Sequence, residues 1–214
     1  MTEAEIRATI AEFVHASRSA IAADLDGVEL HGANGYLIEQ FLNAAVNQRT
    51  DGWGGSIAGR SRFALEIARA VTDAIGGDRL GLRLSPYGVF NGTGADAETD
   101  TQFTQLATEL SKIGLGYLHV VDHESMGAPP VSPALKAQLR SAFRGTYVLS
   151  GGYDLARAEA DLAAGKGDLV AFGRPFIANP ALVTKLQTGA ALRAPQPETF
   201  YTPGAQGYTD YQID

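Results

Sequence analysis

The chain has 214 residues, 45% hydrophobic and 19% charged, the balance of an ordinary soluble globular domain with room for a sizeable core. Its formal net charge of −7 argues against nucleic-acid and anionic-membrane partners, both of which call for a basic patch. It has no cysteine, which excludes disulfides, thiolate catalysis and cysteine-held metal clusters, and no apolar run approaches the roughly 18 residues of a membrane span.

Met1 opens onto an amphipathic helix pattern rather than a secretory or transit signal, so a cytoplasmic location is expected. Thr2 and Glu5 form a capping-box pattern ahead of Ile6, Ile10, Phe13, Val14 and Ile21, and this spacing predicts a helix over about 3–23. A strand follows at 27–30, where Val28 and Leu30 alternate with Glu29 and His31. In a parallel barrel the apolar pair faces the helices, leaving Glu29 and His31 inward; a buried Glu29 needs a partner and reads as structural. Residues 31–59 show no sustained period, which marks a functional or partly structured loop, with Trp53 read as a packing residue. Helical spacing returns at Phe63, Ile67, Ala70, Val71 and Ala74, and Gly76-Gly77-Asp78 ends it.

In the next strand, LGLRLSP, Leu80, Leu82 and Leu84 alternate with Gly81, Arg83 and Ser85, so Arg83 shares the inward side with His31. A cation there needs either an electron-rich ligand or a salt bridge to Glu29, and the spacing leaves both open. A helix with Phe103, Leu106, Leu110 and Ile113 follows, then a strand at 117–121 in which His119 reads as a packed core residue. After a short helix with Leu135, Leu139 and Phe143, the strand at 146–150 ends in Gly151-Gly152, with Asp154 capping the next helix. The last strand, 169–173, ends in Arg174 and Pro175, and a final helix runs from about 180 to 188, where Gly189 stops it. The Pro- and Gly-rich tail reads as an ordered arm, part of one domain over 1–214.

Five strands, each followed by a helix, make an α/β pattern, and its regular rhythm favours a TIM (β/α)8 barrel over a doubly wound sheet. Gly151-Gly152 and Gly173-Arg174 close the final two strands, where such barrels commonly hold phosphate; glycines also end strands for steric reasons alone. The stretch 26–36, DGVELHGANGY, carries the densest chemistry. Its glycines permit a sharp exit from the strand, and His31, Asn34 and Tyr36 are neutral groups able to grip a carbonyl oxygen and deliver a proton. On spacing alone, a His beside a Tyr is more often a structural pair.

HGANGYLIEQFL at 31–42, NQRTDGWGGS at 47–56, GLRLSP at 81–86, YLHVVD at 117–122, LSGGYD at 149–154, AFGRPFIANP at 171–180 and GYTDY at 207–211 run in order along the chain. Together they closely resemble the Old Yellow Enzyme family of FMN-dependent ene-reductases, over the C-terminal part of such an enzyme. The resemblance places HGANGY after barrel strand 4. This chain would then supply about five βα units, strands 4–8, of a partial TIM barrel. The barrel would close only with strands 1–3 from another chain, a complementary polypeptide.

The resemblance further implies FMN as cofactor, NAD(P)H as electron donor, and a small enone or nitro compound as substrate. His31 and Asn34 would hydrogen-bond the substrate carbonyl, and Tyr36 would protonate its α carbon. Arg83 would face the electron-rich edge of the flavin, while Gly151, Gly152, Gly173 and Arg174 would hold the FMN phosphate. Phe200 and Tyr201 resemble the aromatic pair bordering flavin and substrate, and no metal is expected. The family's flavin contacts from its first three strands have no counterpart here. That leaves a second possibility, a non-catalytic half-barrel or assembly partner without stable FMN.

Overall fold

The structure, a computed structural model, describes residues 1–213; Asp214, the end of the expected arm, lies outside the described residues. Helix α1 (Glu3–Ala22) opens the chain with the expected capping box: Thr2 Oγ1 accepts from the Glu5 amide, and Glu5 accepts from the Thr2 amide at 2.7 Å. Five strands then form one parallel sheet in sequence order: β1 (Val28–Gly32), β2 (Leu80–Leu84), β3 (Tyr117–Val121), β4 (Thr146–Ser150) and β5 (Leu169–Ala171). Between and after them lie α2 (Leu37–Leu42), α3 (Ile57–Ile75), α4 (Thr99–Ile113), α5 (Pro133–Ala142), α6 (Leu155–Ala163), α7 (Arg174–Ala178) and α8 (Leu182–Thr188). The arm beyond α8 is coil apart from one 3-10 turn, Pro197–Thr199.

Strand alternation sorts the two faces of the sheet. Leu30, Leu82, Leu118 and Tyr147 stand side by side in register and are all buried under the helices, with Phe63, Ile67, Val71, Leu106, Leu110 and Leu139 in the same core. One residue further on, His31, Arg83, His119 and Val148 make the matching row on the opposite face. Glu29, Gly81, Tyr117 and Thr146 form the row below it.

Four boundaries differ from the sequence reading. β1 runs on to Gly32, so His31 belongs to the strand and is held opposite Arg83. β5 stops at Ala171, leaving Phe172 and Gly173 as irregular chain. α2 lies inside the aperiodic stretch 31–59, because six residues are too few to show a helical period; three of its four buried positions are apolar and the fourth is Glu39. α7 starts at Arg174, directly after Gly173, with Pro175 tolerated in its first turn.

The rest of the 31–59 loop is tied down by side chains rather than by period. The Asn47 amide donates to the carbonyls of Phe41 and Trp53 at 2.7 and 2.8 Å. The buried Arg60 guanidinium donates to the carbonyls of Leu42 and Gly55, to Gln102 and to Glu98. Trp53 packs as expected: it is buried, edge-on to Phe63, with the Arg62 guanidinium 4.1 Å from its ring centroid.

Gly81 is the tightest point of the inner face, because the Tyr117 ring lies across it. A Cβ at Gly81 would come within 2.0 Å of that ring. Gly81→Ala is therefore expected to cost about 1–3 kcal/mol in urea unfolding of the chain. Tyr117→Ala in the same background should relieve the overlap, so the double variant should be less destabilised than the two single losses added together.

Candidate active site

All five strands point their C-terminal ends at one cleft of about 730 Å³, the end of a parallel α/β sheet at which catalytic groups collect. It is lined by Asn34 and Tyr36 after β1, Arg83 in β2, His123 after β3, Gly151 and Gly152 after β4, and Gly173 and Arg174 after β5, with Tyr201 contributed by the arm. Eight of the ten site residues expected from sequence thus line one opening. The other two are His31 and Phe200. His31 reaches the cleft through Tyr36, whose ring centroid lies 5.2 Å from its own. Phe200 does not line it; the Phe200 carbonyl accepts from the Tyr208 hydroxyl, and it is the neighbouring Tyr201 that faces the opening.

The turn that presents Asn34 and Tyr36 is held from below by Glu39. This carboxylate is buried and accepts from the Gly35 amide with one oxygen and from the Ser85 hydroxyl with the other. Ser85 Oγ in turn accepts from the Asn34 amide at 2.9 Å, and Asn91 donates to the Asn34 carbonyl at 3.1 Å. Asn34 has φ 60, a left-handed conformation that asparagine tolerates better than most side chains, and these bonds pin it there. Gly35 follows at φ 70, where an added Cβ would strike the Phe90 carbonyl. Sequence reasoning missed Glu39 and Ser85. The available signal was a carboxylate on the apolar face of a short helix beside the motif, which is otherwise a costly place for charge.

Arg83 settles the question left open by its spacing. It makes no salt bridge to Glu29; among the described residues Glu29 pairs instead with His119 Nδ1 at 2.9 Å. Burial opposes the Glu29 charge, but the bonds from His119 and Tyr117 and the field of Arg83 outweigh it, keeping its carboxyl below the ordinary value. His119 is thus an inner-face partner of Glu29 rather than a packed core residue. Arg83 Nε is buried with no hydrogen-bond partner among the described residues. A donor so placed fits an electron-rich ligand edge. Burial and the charge of Arg83 lower the pKa of His31, so at pH 7 it is a neutral imidazole with one N–H to donate.

The far end of the cleft has the features of an anion cradle. Gly151 (φ 120) and Gly152 (φ 63) adopt backbone conformations closed to most residues, and a Cβ on Gly151 would strike the Asp122 carbonyl. Nothing lies within 4 Å of the Cβ position at Gly173, and the exposed Arg174 guanidinium has no ion-pair partner among the described residues. The open glycine backbone, the free cation and the orphaned Arg83 Nε fit a ligand with a phosphate at one end and an electron-rich heterocycle at the other, which describes FMN. Among the described residues there is no cluster of three or more metal-ligating side chains, and no helix is long and apolar enough to cross a membrane.

Burial raises the pKa of Glu39 above 4.5, its two hydrogen bonds and Arg83 offsetting only part of the shift. The folded state therefore holds the Glu39 proton more tightly than the unfolded chain. This contribution to stability is fully present below pH 4.5 and is lost as pH rises through the folded value. Urea midpoints taken between pH 4.5 and 7 should carry this downward component in the native chain, and Glu39→Gln should lack it.

Comparison with known proteins agrees with this geometry. The family described as NADH:flavin oxidoreductase / NADH oxidase matches residues 1–193. Chanoclavine-I aldehyde reductase fgaOx3 of Penicillium roqueforti is 43% identical over 99% of this chain and 59% of its own length. For 12-oxophytodienoate reductase 2 of Arabidopsis thaliana the identity is 40%, over 97% of this chain and 56% of the relative. The solved structure of morphinone reductase superposes with a TM-score of 0.95 at 40% identity, covering all of this chain and 57% of that one. The chain thus spans less than two thirds of the length of each of these three proteins. A probable inactive dehydrogenase, easA of Claviceps purpurea, is also 40% identical. The resemblance to the Old Yellow Enzyme family is borne out: this chain belongs to the NADH:flavin oxidoreductase / NADH oxidase family, whose members bind FMN and draw electrons from NAD(P)H.

Proposed function

We propose that residues 1–214 form the C-terminal portion of an FMN-dependent ene-reductase that reduces the activated C=C bond of α,β-unsaturated carbonyl or nitro compounds. The observation that carries this reading is the single cleft joining Asn34, Tyr36 and Arg83 to the glycine–arginine cradle of Gly151, Gly152, Gly173 and Arg174. FMN, when bound, supplies hydride to the β carbon of the alkene after taking it from NAD(P)H.

The chain's own residues perform the remaining tasks. Neutral His31 and the Asn34 amide donate to the substrate's carbonyl or nitro oxygen, drawing electrons from the double bond. Tyr36, an exposed phenol against the His31 ring, gives its proton to the α carbon. Arg83 Nε donates to the electron-rich edge of the heterocycle and, as a cation, favours negative charge there. Arg174 and the amides around Gly151, Gly152 and Gly173 hold the phosphate. Tyr201, almost wholly exposed at the rim, contributes to the substrate side, and the neighbouring Phe200 lies behind it in the arm.

Among the described residues, five parallel strands leave β1 and β5 paired on one side only, with Glu29 and His31 exposed on the inner face beside the half-buried row of Arg83 and His119. We place strands 4–8 of a (β/α)8 barrel in this chain and strands 1–3 in a complementary polypeptide that covers this row. The same open edges favour a second reading, a half-barrel that serves assembly and retains no FMN alone. Flavin absorbance and NADPH-dependent reduction of 2-cyclohexenone, measured with and without a relative's N-terminal strands, separate the two. Colour and turnover only in the complemented assembly support the enzyme; neither in both preparations overturns it.

In that assembly Arg174→Ala should lose FMN on gel filtration more readily than Tyr36→Phe, because charge-assisted phosphate contacts are among the stronger hydrogen bonds and Tyr36 meets substrate. Equal loss would count against the cradle. In stopped-flow traces Tyr36→Phe should leave the NADPH half-reaction nearly unchanged and slow the enone half-reaction by ~10²–10⁴-fold, the usual contribution of a general acid. His31→Ala should slow both half-reactions. The opposite pattern would reverse the two roles.

A further inference from the structure

His123 has no role in the sequence reading, yet it makes the one hydrogen bond to the Asn34 side-chain amide among the described residues. Its Nε2 lies 2.7 Å from Asn34 Oδ1. The ring is buried and stands edge-on to Phe90 at 4.9 Å, with an interplanar angle of 81°. The loop that carries it is anchored on both sides. The Asp122 amide donates to the Ser150 carbonyl at 2.9 Å, Asp122 Oδ1 accepts from the Glu124 amide, and Lys136 Nζ pairs with Asp122 at 2.6 Å. The His123 carbonyl accepts from the amides of Met126 and Ala128. The imidazole is therefore a fixed object in the cleft wall.

Apart from His123, Asn34 is held among the described residues only at its backbone, by Ser85 and Asn91. Its side chain has two nearly isosteric ends, an oxygen that accepts and an NH2 that donates. Only the NH2 end helps a substrate carbonyl; the oxygen end would meet it lone pair to lone pair. Nothing in the backbone distinguishes the two flips. Burial, and then the charge of Arg83, hold the His123 pKa below its ordinary value, so at neutral pH one ring nitrogen donates and the other accepts.

We propose that His123 is a positioning residue: its Nε2–H tautomer holds Asn34 Oδ1 and so turns the Asn34 NH2 toward the oxygen of the carbonyl substrate. The inference rests on the reading of Asn34 as a substrate-gripping residue. Its structural half, the tautomer and the direction of the hydrogen bond, is a property of this chain alone. Without that bond the amide populates both flips, and the carbonyl must compete with the wrong one.

Two measurements test it. Long-range ¹⁵N–¹H NMR of the flavin-free chain at pH 7.5 should find His123 protonated at Nε2 and bare at Nδ1, with Asn34→Ala shifting the Nε2 resonance. Protonation at Nδ1 with a bare Nε2 would overturn the proposal, since Asn34 would then donate to His123 and aim its oxygen into the cleft. In the complemented, FMN-loaded assembly, His123→Phe keeps the ring edge against Phe90 but cannot donate, whereas His123→Gln places an N–H near the same position. His123→Phe should raise KM for 2-cyclohexenone about 3–10-fold, the worth of one neutral hydrogen bond, and His123→Gln should restore most of that loss. Equal KM values in the two variants would overturn it. If His123→Phe does not fold, as a backbone NMR spectrum will tell, the tautomer decides alone. An assembly that turns over no enone defeats the functional reading, and the NMR result still decides the direction of the hydrogen bond.

Discussion

The register between β1 and β2 sets the chemistry of this molecule. His31 pairs with Arg83 because Leu30 pairs with Leu82, and the two leucines are committed to the helix-covered core. Slipping β2 by a residue would put the Arg83 cation into that core and a leucine into the cleft, at a cost of several kcal/mol for the buried charge. Packing of ordinary apolar residues under the helices therefore decides which polar residues meet on the other face. The same alternation carries through β3, where Leu118 goes outward and His119 comes inward to meet Glu29.

Above the sheet, position is set by a few buried polar bonds rather than by area. Glu39 is the clearest case. A carboxylate in that place is expensive, and its two oxygens are both occupied, by the Gly35 amide and the Ser85 hydroxyl. Removing it would leave the Gly35 amide and the Ser85 hydroxyl without their acceptor beside the left-handed Asn34. The polar bonds that fix the Asn34 turn thus draw on α2 and the loop after β2, so the turn is rigid only when the β1–β2 unit is assembled. His123 extends that support across to the end of β3.

The cleft divides its labour by charge. At one end lie neutral donors: His31 held neutral by burial and Arg83, the Asn34 amide, and the Tyr36 phenol. At the other lie glycine backbone and the unpaired Arg174. Arg83 stands between them with a buried, unpartnered Nε. Such an arrangement suits a long ligand with an anionic tail and a redox head, and a second, uncharged ligand beside the head.

The amino-acid sequence determined the alternation of strands and helices, the capped first helix, and the placing of Arg83 and His31 on one face, because each follows from local period and nearest-neighbour chemistry. The ordered motifs from HGANGY to AFGRPF likewise named the family and seven residues of the cleft lining. Tertiary structure alone decided the rest. Glu29 pairs with His119, 90 residues away, rather than forming a salt bridge with Arg83, and that choice depends on strand order. Glu39 and Ser85 matter because α2, too short for a period, sets one against the other. His123 had no readable signal, since its meaning lies in a contact with a residue 89 positions earlier. Local pattern records which face a residue takes; which partner waits there is settled only when distant strands pair.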